Sequence, residues 1–272
     1  MAEPFSLWSH ALAALLMAAA ALFALRRTPV SMPRWPLVAM LALTAVWALA
    51  VAGVGGADPA TRLLAGVRDL SVLGVMIALH RRSVTRPVGI APVYGVVALV
   101  VVAATLLQLA AITTAGIAIA TPVATAATLF RMLVAVGALV LVHNLSVAHG
   151  PGAIRILCIA LASLWAAELA LATSAYLVGY WPSAMVAARG AAAAVAAGIV
   201  ALAIGRSEHR PVVVSRLVAY QSLSLVAIGG YLALLALGTS ALSAIGGDHA
   251  RVLQTAFVFG STAAVLTLVS ST

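Results

Sequence analysis

The chain has 272 residues, of which 64% are hydrophobic and 8% charged. A soluble domain carries about 45–50% apolar and about 25% charged residues, so a soluble globule is excluded, and the hydrophobicity equally excludes a disordered chain. All 15 basic residues are arginine, against six acids. They are mostly scattered between apolar runs, a pattern that sets membrane topology rather than building a nucleic-acid surface, so no nucleic-acid partner is expected.

The composition predicts an all-α fold, a polytopic transmembrane helical bundle of about nine spans at about 20 residues each. In lipid an unpaired backbone group has no partner, so each long apolar run reads as a helix. In chain order these are Leu7–Leu25, Trp35–Val54, Leu63–Leu79, Val93–Ile112, Val123–Val142, Ile154–Val178, Ala184–Ile204, Leu217–Leu237 and Val252–Val269. The breaks carry helix-stopping chemistry. They include Arg26-Arg27 through Pro36, Gly55-Gly56-Ala57-Asp58-Pro59, His80 through Pro87, Gly150-Pro151-Gly152, Trp181-Pro182, Arg206 through Pro211 and Gly246-Gly247-Asp248. The boundary between Ala111 and Pro122 is the least marked, because it too is apolar. Glu3 and the lack of a basic residue before the first run argue against a cleaved signal peptide.

Arginine orients the spans. Alternate connections hold Arg26, Arg27 and Arg34, then Arg81, Arg82 and Arg86, then Arg155, then Arg206, Arg210 and Arg216. The opposite connections hold Arg62 and Arg251, beside Asp58 and Asp248. Ten against two predicts an outer N-terminus and a cytoplasmic C-terminus, which an odd span count satisfies. Trp8 and Trp181 then belong to the outer aromatic belt and Trp35 to the inner one, while Trp47 and Trp165 are expected to be packing residues. The whole of 1–272 reads as one membrane domain, and a soluble output module is expected to follow Thr272.

Ionisable groups inside spans are costly and mark functional candidates. Arg68 and Asp69 fall in the third span, Arg131 in the fifth, Glu168 in the sixth and Arg189 in the seventh. Counted from the outer ends at about 1.5 Å per residue, they lie roughly 8–15 Å deep, with Gln108 of the fourth span at the same level. Two roles fit this layer. One is a set of ion pairs, Glu168 with Arg189 or Arg131 and Asp69 with an arginine on a neighbouring helix. The other is a polar pocket, open to the outside, whose spare positive charge would suit an anionic or strongly hydrogen-bonding ligand. His143, Asn144 and Arg216 are candidate coupling residues at the inner face, His143-Asn144 also serving as a helix cap and interfacial pair. Gly190 through Gly198 offers a small-residue face for close helix packing.

Other chemistries lack their residues. A single cysteine, Cys158, excludes an internal disulfide and a cysteine metal cluster. His149, His209 and His249 lack metal-ligand spacing, so no metal is expected. With no lysine there is no P-loop, and His-Glu-x-x-His and Gly-x-Ser-x-Gly are absent.

The second half resembles the membrane region of PrsK-type sensor histidine kinases of the PEP-CTERM/exosortase system, found in exopolysaccharide-producing bacteria. The resemblance rests on His143-Asn144-Leu145, Ile154-Arg155-Ile156-Leu157-Cys158, the acid at Glu168, Ala187-Ala188-Arg189-Gly190, Val214-Ser215-Arg216 with Tyr220-Gln221-Ser222, and Val252-Leu253-Gln254 with Phe257-Val258-Phe259-Gly260. In the first half, Arg68-Asp69 is the best local match. The resemblance implies a signal-input region whose last span leads to a cytoplasmic kinase. That kinase would use ATP and Mg, work as a homodimer and pass phosphate to a response regulator. It implies no cofactor and no catalytic residue in this chain, with membrane lipids as its surroundings. A small transporter or lipid-handling protein using the same charged layer is the alternative, disfavoured by the lack of an internal repeat.

Overall fold

A computed structural model of the chain describes residues 2–28, 31–82, 90–113, 120–149 and 152–206. The chain divides into two units, Met1–Arg216 and Leu217–Thr272, and every described residue belongs to the first. The expected spans Leu217–Leu237 and Val252–Val269, and Arg216, lie outside the described residues.

Seven α-helices follow one another: α1 (Ala2–Arg27), α2 (Arg34–Val54), α3 (Pro59–His80), α4 (Ile90–Thr113), α5 (Ala120–Ala148), α6 (Ala153–Val178) and α7 (Ser183–Gly205). Each is long and apolar enough to cross a bilayer, so this is an all-helical, multi-pass membrane protein. Each of the first seven expected spans corresponds to one helix, lengthened by a few residues at its ends. The largest change is in α5, which continues past Val142 to Ala148. His143 and Asn144 are therefore helical residues, and the expected cap lies six residues further on.

The turns follow from local chemistry. Gly55 ends α2 at a φ of 90°, its N–H donating to the Val51 carbonyl. Asp58 then caps α3, its carboxylate accepting from the Ala60 N–H at 2.8 Å, with Pro59 in the first turn where no N–H is needed. Gly179 closes α6 in the left-handed region. These four-residue connections make α2/α3 and α6/α7 antiparallel neighbours.

Each helix packs on the next in sequence, and α7 packs back on α1, so the seven close into a ring. α1 and α7 run parallel at the closure, because Gly190, seven residues into α7, meets Ser9 and His10 near the start of α1. A Cβ at Gly190 would come within 2.5 Å of Ser9 Oγ and 2.7 Å of the His10 ring, so glycine sets that approach. Gly198 has nothing within 4 Å of such a Cβ, so the expected small-residue face is used at its first glycine and by the buried Ala193, Ala194, Ala196 and Ala197.

Helical periodicity separates inside from outside. On α4 the inner stripe is Tyr94, Val97, Val101, Ala104 and Gln108, while Val96, Leu99 and Leu106 face outward. On α2 it is Leu37, Met40, Leu41, Thr44, Trp47, Ala48 and Val51. Leu99 and Leu202 are exposed while Arg68, Asp69, Glu168 and Arg189 are buried. That inverts the pattern of a soluble protein and suits a lipid surround. In the half of the ring nearer the arginine-rich ends, the interior is apolar, with Leu73, Met76, Leu141, Leu145, Leu157 and Leu161 almost wholly buried in one core.

Candidate functional site

The other half of the ring carries the charges. α3 contributes Arg68 and Asp69, α4 Gln108, α5 Arg131, α6 Glu168 and α7 Arg189. At about 1.5 Å per residue they lie roughly 7–17 Å from the helix ends opposite the arginine-rich face. A common depth in antiparallel helices is what brings residues so distant in sequence together.

Glu168 is the hub. Its Oε1 accepts from Arg68 Nη2 at 2.8 Å, and its Oε2 from Arg131 Nη2 at 2.6 Å. Arg189 Nη1 stands 3.6 Å from the same Oε2. The second guanidinium nitrogen of Arg131 donates to Gln108 Oε1 at 3.0 Å, tying in α4. Five helices thus meet through one carboxylate and its arginines. All six residues expected to share the layer do so, and Glu168 engages both arginines expected of it, with Arg68 as a third. The Asp69 expectation is corrected. Its partner is Arg68 on its own helix, whose Nε and Nη2 donate to Oδ1 at 3.0 and 2.6 Å. The long Arg68 side chain folds back to its neighbour while reaching across to α6, so Asp69 shares a cation with Glu168.

Aromatic rings complete the site, and here Trp47 is more than packing. Arg68 lies over its ring at 4.1 Å and Arg189 at 4.7 Å. The negative ring faces stabilise two cations that one carboxylate cannot fully serve. Trp47 is 1% exposed, which removes competing solvent. Arg131 stacks over Trp181 at 5.7 Å, so this belt tryptophan also belongs to the cluster's surroundings. Trp165 lines the cavity beside the hub, and its buried Nε1–H has no protein acceptor.

Two nearby groups escape a reading that starts α3 at Leu63 and looks for acids and arginines. Arg62 lies within α3, and its Nη1 donates to the Gln108 carbonyl at 3.0 Å. His10 is fully buried in α1, edge-on to Trp47 at 5.7 Å, with Nδ1 2.9 Å from the Ser6 carbonyl. The sign for His10 was a polar ring three residues inside the first apolar run.

The site's charge does not balance. Arg68, Arg131 and Arg189 face Asp69 and Glu168, leaving one positive charge over among these residues. Arg189 is the least well served: its closest carboxylate is 3.6 Å away and its buried Nε has no hydrogen-bond partner. The cavity beside the hub, lined by Asp69, Gln108, Arg131, Trp165 and Glu168 among others, is about 10 Å³. That is about the room one water needs. His143 is half-buried and Asn144 exposed at the far end of α5, away from the hub. Among the described residues, no group of three or more His, Cys, Asp or Glu is arranged to hold a metal ion.

Comparison with protein-family models, curated proteins and solved structures found no match.

Proposed function

We propose that this chain is a membrane-embedded signal-input region in which the Glu168 hub is the two-state element. The observation that carries the reading is the unequal sharing of Glu168 Oε2, 2.6 Å from Arg131 and 3.6 Å from Arg189. A carboxylate oxygen between two guanidiniums on different helices has two comparable pairings. Exchanging the close partner shifts α7 against α5, and α7 leads directly to Arg206 at the arginine-rich face. An anion or strong hydrogen-bond acceptor reaching Arg189 would favour one pairing, and a ligand shifts such an equilibrium only through that preference.

The arginine bias supports an outer N-terminus, with the hub in the outer half of the bilayer. The resemblance to PrsK-type kinases supports a bacterial inner membrane, nine spans and a cytoplasmic histidine kinase as the output. That kinase would work as a dimer with ATP and Mg and pass phosphate to a response regulator.

The test uses the complete reading frame in its native membranes, with radiolabelled ATP. Labelling of a histidine is expected, with Arg189→Met changing its extent several-fold at unchanged protein level. No ATP-dependent labelling, or a variant that alters only the amount of protein, refutes the reading.

A further inference from the structure

At the arginine-rich ends of α1, α2 and α3 the surface opens into a groove of about 700 Å³. Arg34, Arg81 and Arg82 line it, and among the described residues no acidic side chain does. Arg34 and Arg81 bring two like charges to one recess, and an anion between them relieves their repulsion. Thr28 and the buried Met32 also line it, and Gly74, Ile77 and Ala78 of α3 give it an apolar side. A Cβ at Gly74 would meet nothing within 4 Å, so the wall is open there.

Two further observations fix the kind of anion. Trp35, also on the groove, is 70% exposed at the first turn of α2, the setting of a residue at a membrane–water boundary. The Arg34 guanidinium lies 5.6 Å from the Trp35 ring centre while its Nη2 donates to the Leu25 carbonyl in the last turn of α1. It is thereby held at the boundary. A recess with cations at the boundary and an apolar wall running into the bilayer is complementary to an amphiphile, not to a free ion.

We propose that this groove binds an anionic phospholipid, its headgroup phosphate between Arg34 and Arg81 and an acyl chain along Gly74, Ile77 and Ala78. The site is separate from the Glu168 hub and needs no assumption about signalling.

The experiment is native mass spectrometry of the whole chain, purified from nanodiscs of phosphatidylcholine alone or mixed with phosphatidylglycerol. The wild type is expected to retain phosphatidylglycerol in preference to phosphatidylcholine. Arg34→Gln with Arg81→Gln should lower that retention roughly thirty-fold, on the order of five-fold for each arginine near an anionic surface. Arg155→Gln with Arg206→Gln, at the same face outside the groove, should leave it unchanged. Gly74→Leu fills the apolar wall without altering charge and should also lower retention. Protection of the buried Cys158 thiol reports whether each variant is folded, and if the double variant is not, Arg81→Gln and Gly74→Leu decide. Equal loss in the Arg155/Arg206 control would mean a general surface-charge effect and overturn the proposal. Competition by inorganic phosphate with no effect of Gly74→Leu would mean a free-anion site and overturn it too. No preference for phosphatidylglycerol in the wild type would do the same.

Discussion

Replacing Glu168 by Gln removes the charge that the buried guanidiniums of Arg68 and Arg189 and the half-buried one of Arg131 share, while keeping nearly the same shape. Arg68 at 2.8 Å and Arg131 at 2.6 Å each lose a carboxylate oxygen, and Arg189 loses its 3.6 Å partner. Asp69 is then the one acid left against three arginines in the cluster. Removing one partner of a buried ion pair costs about 3–5 kcal/mol, because the other charge stays desolvated. At about 2–4 °C per kcal/mol for a chain of this size, that is a fall of roughly 6–20 °C in melting temperature. Arg189→Met should behave differently. It removes the least well paired cation and leaves two arginines facing two acids, and a buried charge replaced by an apolar side chain is often neutral for stability. Cys158 supplies the assay, since it is the chain's one cysteine and is 2% exposed. A thiol-reactive fluorophore stays dark until the bundle opens. The hub reasoning is refuted if Glu168→Gln melts within about 2 °C of the wild type, or if Arg189→Met is equally damaging.

The other predictions use the same thiol readout. Gly190→Ala places a Cβ within 2.5 Å of Ser9 Oγ and should cost about 1–3 kcal/mol by overpacking the α1/α7 closure. Gly198→Ala, with open space around it, should be neutral or gain up to about 1 kcal/mol from helix propensity. Trp47→Leu removes the ring between Arg68 and Arg189 and should cost about 2 kcal/mol or more, with Trp47→Phe recovering part of it. Arg68→Gln should reduce the stabilisation that phosphatidylglycerol gives the chain. Asp58→Ala, which removes only the cap of the same helix at a cost of about 1 kcal/mol, should not. Melting curves with and without the lipid distinguish the two.

The lengths and order of these helices were legible because apolar run length, proline, glycine and arginine act locally. The shared depth of Arg68, Gln108, Arg131, Glu168 and Arg189 was legible as well, since rise per residue converts position into depth once the spans are known. Partner choice was not. Nothing in the residue order says that Arg68 turns back to Asp69 while also reaching Glu168, because that depends on side-chain rotamers and on which helices face each other. Trp47 illustrates the same gap. A tryptophan deep in an apolar run has the signature of a packing residue whether its ring faces leucines or guanidiniums. The closure of α1 on α7 was hidden too. The Gly190 region announced close packing, but the partner lies some 180 residues away in sequence.

The two polar regions of the ring are joined by one element. α3 carries Arg68 and Asp69 at the hub and Gly74, Ile77 and Ala78 at the groove, and Arg81 and Arg82 follow directly on its last residue, His80. A helix is stiff over that distance, on the order of 20 Å, so rotation or translation of α3 at one end appears at the other. Between them Leu73, Met76 and Leu79 are almost fully buried, and close-packed interiors shift between discrete arrangements rather than deforming smoothly. On the two proposals above, a change of partner at Arg68 would bear on the position of Arg81, and by reciprocity an anion held at Arg81 would bear on the balance at Glu168. On that reading the uneven charge count has a physical use: a fully neutral, fully paired hub would anchor α3 in one position, whereas a surplus guanidinium competing for Glu168 would keep a second pairing close in energy.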